Sequence, residues 1–319
     1  MAIRNLVLAS AFGAAAIAAP GVAAADFPSD NPIRLISPYG AGGAVDIAGR
    51  ILSSVSGEFL DTRVDVISLS GAGGQEAIEF VSSAEPDGYT LLITDYGPLV
   101  TTALREDVSY ELDDWIPLVQ ITEVAPIFFA RADSAYTSLE AWIEAAKAAP
   151  DTISVGHGRH LSVPHLPLIL LEAEADFSTI HLPTTGGSQA LAFVLGGQVD
   201  IGASVPSTIQ GGVDDGSLVA LAVATAERVA AMPDVPTLRE LGYDVVLPAW
   251  YTIFAHRDVP EDRRAILEER ILAALGSESA LALGTRTGTD VQPLGAEASM
   301  TAYQTTIENL TAILDQIDE

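Results

Sequence analysis

The 319-residue chain contains no cysteine. That absence excludes disulfides, thiolate metal sites and a cysteine nucleophile. It also removes a lipobox cysteine, so no lipid anchor is expected. Lysine is nearly as scarce. Lys147 stands alone, far from any glycine-rich turn, and no P-loop exists. No G-x-S-x-G elbow occurs, which argues against a serine hydrolase. Neither of the first two glycine-rich turns completes G-x-G-x-x-G, which argues against a dinucleotide enzyme. Past the N-terminal stretch, no apolar run reaches the roughly 20 residues that a membrane span needs. Catalysis has no motif to rest on, and no cofactor is expected.

Basic residues number 15 against 43 acidic ones, giving a net charge of −28. With no basic patch to neutralise phosphates, nucleic acid is excluded as a partner. The acidic excess reads as a solubilising surface, and adaptation to a saline habitat would give the same composition. An anionic ligand would need a local site working against this field. At the N-terminus, Arg4, an apolar run from Leu6 to Ala19 and small residues up to Ala25 describe a secretory signal peptide. Cleavage near Ala25 would leave a mature chain from Asp26, exported without disulfides, which points to a bacterial periplasm.

What is present centres on Pro38-Tyr39-Gly40-Ala41-Gly42-Gly43-Ala44-Val45-Asp46. Ile33 to Ser37 reads as a short strand, and Val45, Ile47, Ala48, Ile51, Leu52, Val55 and Phe59 recur at helical spacing. A tight strand-to-helix turn of this kind is either a packing device or an anion site. The anion reading rests on unpaired N–H groups at the positive end of a helix dipole. Arg63 to Ile67 leads into Gly71-Ala72-Gly73-Gly74 and an apolar helix, repeating the device. A third strand, Tyr89 to Thr94, ends at Asp95 and Tyr96.

Pro126 to Ala130 reads as a strand crossing into a second domain. There Ile153 to Val155 runs into Gly156-His157-Gly158-Arg159-His160, and Phe177 to Leu182 into Pro183-Thr184-Thr185-Gly186-Gly187. Val199 to Ala203 ends at Ser204, and Leu218 to Ala224 follows. Tyr251 to Ala255 reads as the return crossing, with Trp250 beside it as a cleft wall or a core residue. Helices over 262–275 and 296–317 close the chain. Alternating strands and helices imply an α/β fold with mostly parallel sheets, and ligands in such sheets sit beyond the strands' carboxyl ends.

Several of these motifs together resemble a known family. Asn31-Pro32-Ile33-Arg34-Leu35, Pro38-Tyr39 and Gly42-Gly43 with Asp46 are similar to the start of the periplasmic solute-binding proteins of tripartite tricarboxylate transporters, the TctC or Bug family. The likeness continues in Gly71 to Gly74, Pro86 to Leu92, Gly196-Gly197-Gln198-Val199-Asp200 and Pro233-Asp234-Val235-Pro236-Thr237. The resemblance implies a two-lobed, type II periplasmic binding protein, each lobe a mostly parallel sheet flanked by helices, joined by two crossing strands. It puts residues 26–125 and 249–319 in one lobe and 126–248 in the other. It implies a monomeric receptor, not an enzyme, that closes on a small organic acid and delivers it to membrane permease subunits. An exported sensory module presenting the same ligand to a membrane sensor kinase is the alternative.

In that family one ligand carboxylate is held by the first two glycine loops, here Tyr39, Gly40, Ala41, Gly42 and Gly43 with Gly71, Ala72, Gly73 and Gly74. Asp95 and Tyr96 are expected nearby, while Asp46 serves its own helix start. On the other lobe the candidates are His157, Arg159, His160, Thr184, Thr185 and Ser204. Here the chain departs from the family, which usually carries hydroxyl residues where Arg159 and His160 stand, so ligand identity does not carry over. Arg159 would pair with a second carboxylate in a forked contact. His157, His160 and His165 lie close in sequence, yet their spacing matches no metal motif, and no metal is expected.

Overall fold

The computed structural model describes residues 27–318, and the stretch read as a signal peptide lies outside them. From Ile33 the chain runs β1 (Ile33–Ser37), α1 (Ala44–Phe59), β2 (Val64–Ser68), a short turn of helix at Gly71–Gly74, α2 (Gln75–Ser82) and β3 (Thr90–Thr94). A wide helical turn at Gly97–Thr101 continues into α3 (Thr102–Arg105), and β4 (Trp115–Val124) follows. The next run is β5 (Ile127–Arg131), α4 (Leu139–Ala148), β6 (Ser154–His157), α5 (His165–Ala175) and β7 (Ile180–Pro183). It continues through α6 (Gly187–Leu195), β8 (Ile201–Ser204), α7 (Pro206–Asp214) and β9 (Leu218–Val223). The chain then returns through β10 (Ala249–His256), α8 (Glu261–Leu275), α9 (Glu278–Thr287) and α10 (Ala296–Asp318).

Two five-stranded sheets result, ordered β2-β1-β3-β10-β4 and β7-β6-β8-β5-β9. In the first, β2 and β3 run parallel to β1, while β10 runs antiparallel to β3 and β4. In the second, β7 and β8 run parallel to β6, while β5 runs antiparallel to β8 and β9. Each sheet thus has four strands pointing one way and one reversed, the reversed strand being the one that arrives from the other sheet. The two lobes repeat one topology. Their shared strand direction lines up the carboxyl ends Ser37, Thr94 and Val124 in one lobe and His157, Pro183, Ser204 and Val223 in the other. The chain leaves each sheet from that edge, after Val124 and after Val223, which is where open α/β sheets bind ligands.

Burial follows the sequence pattern. Helix α1 buries Val45, Ala48, Ile51, Leu52 and Val55 on one stripe against the sheet, and all of β3 is buried. Each large apolar side chain so covered contributes about 1.5–3 kcal/mol relative to exposure. In the second lobe Trp142 is fully buried between Phe128 and Phe177, with ring centroids 5.4 and 5.7 Å away.

Several elements differ from the sequence reading, which placed no helix at α3 or α9. No strand was expected over Trp115–Val124, where Pro117, Gln120 and Glu123 break the apolar pattern. Strand β4 lies at the sheet edge, where a proline needs no ladder partner on its open side. Strand β7 begins three residues later than expected, because Asp176, at φ 54°, ends α5 and the Phe177 N–H returns to the Glu172 carbonyl. Helix α7 was also not expected. Gly211 and Gly212 weaken its intrinsic propensity, but Pro206 in its first turn and the buried Ile209 hold it.

Candidate functional site

The facing carboxyl edges enclose a cavity of about 170 Å³. The first lobe supplies Tyr39, Gly40, Ala41, Gly43, the α1 start at Ala44 and Val45, Asp95, and Tyr251 from β10. From the second lobe come Gly158, Arg159, Ser162, Val163 and Pro164 on the loop before α5, and Thr185 to Gln189 on the turn into α6. Ser204, Val205 and Thr208 complete the wall around the start of α7.

Two helix starts open on this space from opposite lobes. Helix α1 begins after Gly43 and α6 after Gly186, and neither cap residue gives a side-chain hydrogen bond. The first amides of a helix have no partner within it, so Ala44 and Val45 on one side and Gly187 and Ser188 on the other present donors to the cavity. With their aligned dipoles, these donors favour an anion. Asp46 does serve its own turn, as expected. It accepts the Gly42 N–H at 2.8 Å and pairs with Arg50 at 2.7 Å, so Gly42 faces Asp46 and does not line the cavity.

Polar side chains converge on the same space. Arg159 is the one cation among the lining residues, and its guanidinium carbon lies 5.7 Å from the centre of the Tyr39 ring. Three buried polar atoms of the lining have no hydrogen-bond partner among the described residues: Arg159 Nε, Ser162 Oγ and Ser204 Oγ. Leaving a buried donor unpaired costs about 1–3 kcal/mol, a cost a polar ligand would remove. Asp95 balances the cation. Its carboxylate accepts the Tyr39 hydroxyl at 2.7 Å and the Gly97 N–H at 2.8 Å. Burial nevertheless outweighs these bonds and raises its pKa to about 6.

The other residues named from sequence stand behind this lining. Gly74 packs on Pro38, where an added Cβ would sit 2.8 Å from the proline side chain. Gly73 backs Arg159, since a Cβ there would lie 2.7 Å from the guanidinium. Gly71 packs against Glu76 in the same way, and the partly exposed loop that holds Ala72 does not line the cavity. Tyr96 is fully buried against Trp250, and Trp250 donates to Thr306 at 2.9 Å in the core. The cavity wall belongs instead to Tyr251, the next residue, because neighbours on a strand face opposite sides. Thr184 is buried and holds its turn by donating to the His157 carbonyl at 2.8 Å.

His160 is exposed and His157 is buried, and neither lines the cavity. His157, His165 and His181 do bring ring nitrogens within 4.8 Å of one another. Their hydrogen bonds already commit most of those nitrogens. His165 accepts a backbone N–H at Nδ1 and contacts His181 through Nε2, while His181 contacts Glu172. Only His157 Nε2 keeps a free lone pair, which makes the group a poor cage for a cation.

The lining residues missed from sequence include Ala44, Val45, Ser162, Gly187, Ser188, Gln189, Thr208 and Tyr251. One signal was available for three of them. Pro183 to Gly187 is a further strand-glycine-helix turn, and reading it like the first would have placed Gly187, Ser188 and Gln189 at an open helix start.

Comparison with known proteins gives consistent matches. The family model described as tripartite tricarboxylate transporter family receptor matches residues 50–318. Protein BugT of Bordetella pertussis is 30% identical over 271 residues, covering 83% of this chain and 82% of its own. Among solved structures, MatC of Rhodopseudomonas palustris with bound malate is 25% identical with a TM-score of 0.80, covering 88% of this chain and 98% of that one. An R. palustris protein with adipate superposes with a TM-score of 0.84 at 22% identity, covering 91% and 98%.

Proposed function

Because this chain belongs to the family of tripartite tricarboxylate transporter receptors, we propose that it captures a small organic acid between its lobes and delivers it to membrane permease subunits. Family members are periplasmic substrate-binding proteins, not enzymes. The observation that carries the reading is the pair of uncapped helix starts, α1 and α6, opening on one cavity beside Arg159. One ligand carboxylate sits on the Tyr39 to Val45 turn and its amides. The second polar end meets Arg159, Ser162 and Ser204, with Thr185, Ser188 and Gln189 around it. The Tyr39 and Tyr251 rings, Val163 and Val205 cover the apolar middle. Of the second glycine loop, Gly73 acts indirectly by backing Arg159, while Gly74 packs on Pro38 and Gly71 on Glu76. Malate in MatC and adipate in its relative point to a dicarboxylate of four to six carbons.

We take residues 26–125 with 249–319 as one lobe and 126–248 as the other. They close about the two connections between the sheets. The mature chain is exported to the periplasm and acts as a monomer. Among the described residues no helix is long and apolar enough to cross a membrane.

A thermal-shift screen of residues 26–319 against a panel of organic acids tests the reading. A ligand that binds only the folded state stabilises it by about 2.7 kcal/mol at a hundredfold over its Kd. A large shift with one class of acid is expected. No shift with any acid, on protein freed of retained ligand, would overturn the proposal.

Asp95 adds a pH signature. A bound anion disfavours its ionised form, so its pKa rises from about 6 on binding and the complex takes up a proton. Affinity for a fully ionised acid should therefore climb as pH falls from 7.5 towards 6, by at most about tenfold per unit for one proton. Calorimetry in two buffers of different ionisation enthalpy measures the uptake. Asp95→Asn should flatten the profile, and an unchanged slope would assign the proton elsewhere.

A further inference from the structure

The loop between β6 and α5 carries Arg159, Ser162, Val163 and Pro164 into the cavity, and it turns back on itself at Leu161. Leu161 is buried and held at φ 54°, a left-handed conformation that a leucine adopts only under constraint. Its backbone N–H donates to His165 Nδ1 at 2.8 Å. A backbone N–H can only donate, so this contact fixes every proton that follows. His165 Nδ1 must be unprotonated, and its Nε2 must carry the hydrogen and donate to His181 Nδ1 at 2.9 Å. His181 must then be protonated at Nε2, which donates to Glu172 at 2.9 Å. Thr179 donates to the other Glu172 oxygen and orients it.

A second histidine reinforces the arrangement. The His157 ring stacks on His165, with centroids 3.8 Å apart and planes within 2°. Its Nδ1 bonds to the Gly158 carbonyl at 2.6 Å, which is possible only as a donor. Two stacked rings at this separation tolerate each other while both are neutral. Burial pushes His165 down to about 2 and His157 to about 4, so both stay neutral at pH 7. The ionisable groups facing His165 are His157 on β6, His160 on the loop and His181 on β7, with Glu172 beyond His181.

We propose that His165 is a positioning residue for the ligand cavity, its tautomer set by Glu172 through His181, which holds Leu161 in its left-handed turn and so aims Arg159 and Ser162 at the ligand. The inference rests on the receptor reading for its purpose but not for its test. The relay ties a partly buried carboxylate on one face of the second lobe to the residues that contact ligand on another. Removing any link lets the Leu161 peptide relax toward an ordinary backbone conformation, and the two side chains move with it.

The test uses the ligand-free chain. Long-range proton–nitrogen spectra of histidine-labelled protein at pH 7 should show His165 and His181 as the Nε2-protonated tautomers and His157 as the Nδ1-protonated one. Amide exchange should show Leu161 protected in the native protein and exchanging at least about tenfold faster in His165→Ala and Glu172→Ala, while β1 and β8 amides hold their rates. Glu172→Gln keeps an acceptor for His181 and should restore Leu161 protection. His165 protonated at Nδ1, or a Leu161 amide indifferent to these substitutions, would overturn the inference. If His165→Ala fails to fold, the native tautomers and the Glu172 pair decide it. Failure here leaves the acid screen untouched, and an empty acid screen leaves these spectra standing.

Discussion

Arg159→Ala is expected to weaken a dicarboxylate by roughly 30-fold or more, while a monocarboxylate of the same length loses less than about fivefold. The asymmetry follows from the single cation in the lining. Truncating one partner of a buried charge pair costs about 2–5 kcal/mol, much of it from the charge left unpaired. Only the second carboxylate of a diacid would be stranded, since the first rests on backbone amides that the substitution does not touch. Arg159 is also pre-placed. The Tyr39 ring lies under it, Gly73 leaves room only for a hydrogen beside it, and its Nε has no partner among the described residues. Arg159→Lys should recover little, because an ammonium cannot reproduce the planar fork. Titration of both ligand types against both variants measures the difference. Equal losses for mono- and dicarboxylate would remove Arg159 from contact with ligand.

Gly187→Ala is expected to remove binding more completely. An added Cβ would sit 2.1 Å from Ser204 Oγ and 3.4 Å from Thr208 Oγ1. The methyl would occupy the mouth of α6, where the amide donors face the cavity, and would displace one of its unpartnered hydroxyls. A drop in stability of about 1–3 kcal/mol is expected from the overpacking alone. Gly187→Ala with Ser204→Ala relieves the clash and should regain most of the stability without regaining affinity, because the helix mouth stays blocked. Native affinity in Gly187→Ala would mean that the anion does not approach α6.

Much of the fold was legible in the sequence because the repeated strand-glycine-helix device and the family motifs run across both lobes. Local rules failed where tertiary context decided. Strand β4 carries a proline that is harmless only at a sheet edge, and edge position cannot be read from ten residues. The site was harder. Trp250 reads from sequence as a cleft wall or a core residue, and strand parity settles it in the core and gives Tyr251 to the cavity. Parity depends on a register that sequence leaves open. Ser162 depends on the left-handed Leu161, a conformation no pattern of side chains announces. The histidines show the same limit. Two lie close in sequence, but His181 and Glu172 join them only through the packing of β7 on β6 and α5, and the direction of the protons emerges only from the Leu161 amide.

Binding in this form requires that an acid be gripped between two uncapped helix starts, one from each lobe. A crystal structure with the acid giving the largest thermal shift tests it most directly. One carboxylate is expected within hydrogen-bond distance of the Ala44 or Val45 amides, and the opposite end of the ligand beside Arg159 and the α6 start. A carboxylate held only by side chains, with both helix starts still facing solvent, would contradict it.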